Sequence, residues 1–110
     1  MEKFSLTAVS RAQMEAAHRT TSGRSATTVY GGHEHSLRQT LIAMRGGREL
    51  SEHANPGEAT VYVLSGHVVL GSKDVSWEGA PGDLLVVPDA AHSLKATEDS
   101  VVLLTVAKRG

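Results

Sequence analysis

The 110-residue chain contains no cysteine, which excludes disulfides, thiolate nucleophiles and any zinc site built on sulfur. Aromatic residues are scarce, with one Trp, one Phe and two Tyr, so aliphatic side chains must fill the core. No apolar run approaches the ~20 residues that a membrane-spanning helix needs. The first residues, Met1-Glu2-Lys3-Phe4-Ser5, lack the basic start and apolar stretch of an export signal. The expectation is a cytoplasmic protein with no membrane partner. No excess of one charge is present either: 11 Lys and Arg stand against 12 Asp and Glu, for a formal net charge of −1. The basic residues are interspersed with acids, so the electrostatic footprint of a nucleic-acid binder is missing. A chain this short has room for one hydrophobic core.

What remains is mostly strand. Ser10-Arg11-Ala12-Gln13 has the spacing of a capping box and predicts one short helix ending near His18. Its apolar positions Ala12, Met14, Ala16 and Ala17 are small, which suits a clasp against a sheet or a second subunit. Residues 1–26 therefore read as an N-terminal helix and loop, a packing or dimer arm, and residues 27–110 as a β domain. From Thr27 onward, short runs rich in Val, Leu, Thr and Tyr alternate with Gly, Pro, Asn and Asp every eight to twelve residues or so, the pattern of an antiparallel sandwich or barrel. The predicted strands are Thr27–Tyr30, Leu37–Met44, Glu49–His53, Thr60–Leu64, Val68–Leu70, Val75–Trp77, Leu84–Val87, Ser93–Ala96 and Val101–Val106. The last is apolar almost throughout and is expected to be buried on both faces. Arg45-Gly46-Gly47-Arg48 reads as a tight hairpin turn, which would pair the second and third strands and set Gln39 or Thr40 opposite His53.

Two segments carry a more specific signal. Gly47 stands six residues before His53, and the chain continues through a Pro-Gly turn to Gly66. Gly82, Pro88 and His92 form a second group, with fifteen residues between Gly66 and Gly82. Together they resemble the two motifs of the cupin superfamily, over about residues 36 to 106. Asn55 and Ala59 stand where the first motif has a second His and a Glu, and Ala90 and Ala96 where the second has Gly and Asn. The resemblance implies an all-β fold, a small antiparallel β-barrel or jelly roll with one short N-terminal helix.

It also implies a site. Imidazoles from two strands, His53 and His92, would point inward to hold a divalent transition metal such as Fe, Mn, Ni, Cu or Zn. Candidates to complete the shell are Gln39, Glu58 and His35. His33-Glu34-His35 places two imidazoles at i and i+2, which on a strand share a face; the alternative is an exposed loop-to-strand junction. For His53 and His92 the alternative to ligation is a pair of barrel-lining histidines bonded to each other, to water or to a carbonyl. Val61, Val63 and Val86 are expected to line an apolar pocket. Two functions follow: a metal-dependent barrel acting on or binding a small molecule, or a metal-free barrel that binds a small ligand as a sensor or carrier. A homodimer is the expected assembly.

Overall fold

A computed structural model of the chain describes residues 1–53 and 57–108, and for Glu52 and His53 the backbone alone. One helix, α1 (Leu6–Arg19), precedes nine strands: β1 (Arg24–Gly31), β2 (Leu37–Met44), β3 (Glu49–His53), β4 (Gly57–Ser65), β5 (Val68–Ser72), β6 (Val75–Gly79), β7 (Leu84–Val86), β8 (His92–Ala96) and β9 (Ser100–Lys108). All nine expected strands are present. They form a five-stranded sheet, in the order β1-β2-β9-β4-β7, and a four-stranded sheet, β3-β8-β5-β6, with every pairing antiparallel. Among the described residues no ladder joins one sheet to the other, so the barrel is flattened and open along its flanks. Arg24 bridges one flank by donating from Nη1 to the Glu49 carbonyl at 2.6 Å.

The helix differs from expectation at its start. Ser5 is the N-cap, its hydroxyl accepting from the Ala8 N–H at 3.2 Å, and this satisfies one of the donors a helix leaves unpaired at its N-terminus. Ser10 lies inside the helix. Gln13, its supposed capping partner, instead accepts from the Ser25 hydroxyl at 2.6 Å and ties α1 to β1. The loop after the helix is also shorter than expected, because β1 begins at Arg24. At the other attachment, His18 Nε2 lies 2.7 Å from Asp99 Oδ2. Asp99 Oδ1 accepts from the Gly46 N–H at 2.9 Å. That backbone bond, and after it His18, hold the Asp99 carboxyl below its ordinary value of 3.8.

The turn over residues 45–48 corrects a second expectation. β2 and β3 do not form a hairpin: β2 pairs with β1 and β9, whereas β3 pairs with β8. The turn carries the chain from one sheet to the other, held by bonds from Gly47 N–H to the Ala96 carbonyl and from Ala96 N–H to the Arg48 carbonyl. Neither Gln39 nor Thr40 is therefore set opposite His53.

β9 is the central strand of the larger sheet and is covered on both sides, as its composition requires. Val102 and Val106 enter the core between the sheets, with Ile42, Met44, Ala59, Val61, Val63, Val68, Leu70, Val87 and Leu94. Val101 and Leu103 face the other way, into a smaller cluster with Ala17, Leu41 and Ala43 that α1 covers through Leu6, Val9 and Met14. The helix is thus a clasp on its own sheet. It packs through Leu6, Val9 and Met14 around the fully buried Ala17.

Candidate functional site

The inner space has one buried ionisable side chain among the described residues, His92, which is 6% exposed. It stands at the start of β8, and the ladder sets His53 of β3 directly opposite it, after a register shift between Leu50 and His53. The sequence therefore brings its two motif histidines to one place, by pairing β3 with β8 within a single sheet.

His92 Nδ1 lies 3.0 Å from the Ala90 carbonyl oxygen. A carbonyl only accepts, so Nδ1 carries the proton, and in the neutral ring the Nε2 lone pair is the acceptor. The side chain borders a cavity of about 20 Å³ whose other lining residues are eight aliphatic ones, Ile42 and Val61 on the larger sheet and Leu70 and Leu94 on the smaller among them. A space of that size takes about one water-sized group.

Three motif glycines explain why the flanking turns are conformationally demanding. Gly47, Gly66 and Gly82 all have φ between 83° and 93°, the left-handed region that side chains disfavour. Only Gly66 is crowded as well: a Cβ there would run into the Ser100 hydroxyl and the Asp99 carbonyl. Ser100 is fully buried, and its Oγ accepts from the His67 N–H at 2.9 Å, so it cannot withdraw without breaking that turn.

The other candidate ligands lie elsewhere. Gln39 pairs with Thr105 and donates to its hydroxyl at 3.2 Å, on the face of the larger sheet that also carries Leu41 and Leu103 and lies opposite the inner core. Glu58 is exposed on the same outer face, at the edge of an open groove of about 460 Å³ with Thr60, Thr105 and Asp89. His35 is exposed beyond the 33–34 turn, its backbone N–H bonded to the Gly32 carbonyl at 3.1 Å and its ring edge-on to Tyr30 with centroids 5.5 Å apart. The His33-Glu34-His35 segment is thus a loop-to-strand junction and not a strand face. Ala59, at the position of the motif carboxylate, points inward and is 8% exposed in the core. Asn55 lies outside the described residues. Among the described residues, no three of His, Asp or Glu come together in a way that would hold a metal ion.

Val61 and Val63 line the interior as expected, but Val86 is 70% exposed and its neighbour Val87 takes the inner place. The Ala90 carbonyl that orients His92 is one of the partners expected for a barrel-lining histidine.

No family model and no curated protein matches the sequence. Solved structures do. A conserved protein of unknown function from Streptococcus pyogenes is 27% identical, with 83% of this chain and 79% of that one covered at a TM-score of 0.74. An RmlC-like cupin protein from Desulfovibrio desulfuricans is 26% identical, covering 76% of this chain and 81% of that one at a TM-score of 0.67. A variant of the salicylate 1,2-dioxygenase of Pseudoaminobacter salicylatoxidans matches 94% of this chain at a TM-score of 0.78, with 19% identity and over 34% of its own length.

Proposed function

The chain is a small domain of cupin fold, and from that frame we propose that it is a metal-free small-ligand binding barrel, with His92 as the recognition group and His53 beside it. The observation that carries this reading is Ala59. Where the fold's metal-binding members place a carboxylate, this chain buries a methyl group in an aliphatic core. Gln39 and Glu58 cannot substitute from the outer face, because a side chain one residue out of phase lies on the wrong side of the sheet. With Ala59 at the carboxylate position, the motif does not supply the three or four protein ligands of a resident divalent metal centre.

The bond from Nδ1–H to the Ala90 carbonyl holds the His92 ring in one orientation beside the aliphatic space. The aliphatic lining and the small space favour a ligand that inserts one small terminal group there.

Thermal shift tests this. A panel of small alcohols, amides and phenols at millimolar concentration should contain members that raise the melting temperature of the parent, with the rise lost in His92→Phe. A divalent ion alone that stabilises the parent at micromolar concentration, and not His92→Phe, would favour the metal-dependent reading instead. The bond from Nδ1 to a carbonyl is the one feature here that also suits a metal-ligating histidine.

A further inference from the structure

The segment from Val87 to Ala91 belongs to no strand, yet it carries the carbonyl that holds the His92 ring. β5 runs beside β8 in a ladder from Val68 opposite Ala96 to Gly71 opposite Ser93. There the ladder ends, one residue short of His92. Ser72, the next residue of β5, lies two residues on from Leu70, which faces the inner core, and so stands on the same face of the strand. Its hydroxyl donates to the Ala91 carbonyl at 2.9 Å. One side-chain bond thus continues the attachment of β8 to β5 past the last paired residue. Ser72 belongs to neither group of motif residues.

We propose that Ser72 is a positioning residue for His92, fixing from the neighbouring strand the backbone that presents its ring. The Ala91 carbonyl belongs to the peptide unit that enters His92. A peptide unit is planar, so a bond to its oxygen also fixes the direction in which the His92 backbone sets out. The preceding carbonyl, that of Ala90, takes the bond from the ring at Nδ1. Only the φ and ψ of Ala91 separate the two carbonyls, one held by β5 and the other by the imidazole. With the Ser72 hydroxyl removed, Ala91 can turn, and the Ala90 carbonyl leaves the line of the Nδ1–H bond, which weakens steeply when bent. The ring then loses the contact that selects its Nδ1–H tautomer. Serine suits the position because its hydroxyl is a rotatable donor on a short stem. The inference rests on the reading of His92 as the recognition group for the use to which the ring is put; the positioning itself is a property of the ligand-free chain.

NMR of the isotope-labelled, ligand-free chain in mildly alkaline solution reads the tautomer of each neutral imidazole and tests it, the His92 signal being the one lost in His92→Phe. The parent should show His92 mainly as the Nδ1–H form. Ser72→Val should shift the ratio of the two forms by about two- to tenfold toward Nε2–H, the weight of one neutral hydrogen bond. Ser72→Thr, which has the same shape as the Val variant and keeps the hydroxyl, should hold the parent ratio. Ser76→Ala, on the adjoining strand β6, should leave it unchanged. Ser72 is partly buried at a strand end, and both replacements are β-branched residues that strands accommodate, so the variants should fold; unmoved signals from His18 and His67 check this. A parent in the Nε2–H form overturns the proposal. So does a Val variant with the parent ratio, a Thr variant that shifts as far as the Val one, or a shift of that size in Ser76→Ala. The panel of small ligands can fail while this result stands, and the panel can succeed while Ser72→Val leaves the tautomer untouched, so the two readings fail separately.

Discussion

Gly66→Ala should lower the melting temperature by roughly 12 °C or more, against about 4–8 °C for Gly82→Ala. Both glycines have left-handed backbone, φ 83° and φ 93°, so both substitutions carry the conformational cost of about 1–2 kcal/mol. They differ in space. At Gly82 nothing lies within 4 Å of where the Cβ would sit, whereas at Gly66 it meets the Ser100 hydroxyl and the backbone of residues 99 and 100. Backbone in a sheet terminus has nowhere to move: Ser100 pairs with Met44, and its hydroxyl secures the turn at His67. The combined cost of about 3 kcal/mol or more, at about 4 °C per kcal/mol for a domain of this size, gives the expected difference. Thermal denaturation followed by circular dichroism measures it. Equal losses at the two sites would show that the 64–67 turn is not packed against the start of β9 as described.

At pH 7, Ala59→Glu should be more damaging than Ala59→Gln. It restores the carboxylate that the metal-binding motif has and this chain lacks. Ala59 pairs with Val106 on β9 and touches only apolar core, so the new side chain must both fit a filled interior and lose its hydration. Overpacking costs about 1–3 kcal/mol, and an unpaired buried carboxylate adds several kcal/mol or stays protonated with a raised pKa. The sign of the pH effect follows. Below about pH 4.3, the ordinary Glu value, both the folded and unfolded states hold the proton, and only packing is lost. As pH rises above that, the unfolded chain ionises first, so the destabilisation relative to the parent grows until the raised folded-state value is passed. Ala59→Gln supplies the same shape without the titration and should show a pH-independent loss. Urea denaturation at pH 4 and pH 7 separates the two. A Glu variant as stable as the parent at both pH values would mean that residue 59 does not face the core.

The strand pattern was legible because each strand of a two-sheet fold alternates, and because Gly, Pro, Asn and Asp interrupt the alternation where the chain reverses. The cupin resemblance was legible through the same residues, and the structure supplies its physical content: Gly47, Gly66 and Gly82 occupy backbone that side chains disfavour. The pairing of His53 with His92 follows from the order of the two motifs in the fold, and not from local signals.

What could not be read depended on register or on which sheet a strand joins. A Gly-Gly turn is compatible with a hairpin and equally with the crossing from β2 to β3, so the inference that Gln39 or Thr40 opposes His53 had no local constraint. For Glu58 the vacant carboxylate position is its neighbour Ala59, and one residue decides the face. The same single step exchanged Val86 for Val87, since β7 is three residues long and too short for its alternation to be distinctive. The helix start was misplaced because Ser10 and Gln13 share the spacing of a capping box, while the real cap, Ser5, has Ala8 where the box would have an acidic or amide partner.

Elemental analysis of the untagged protein is the most direct test of the account, because its central claim is that Ala59 leaves His53 and His92 without a resident metal. After expression in metal-supplemented medium and gel filtration, Fe, Mn, Ni, Cu and Zn should each stay far below one equivalent per chain, and His53→Ala/His92→Ala should not change their amounts. Close to one equivalent of a single transition metal in the parent, lost in the double variant, would contradict the claim and return the two histidines to a metal centre.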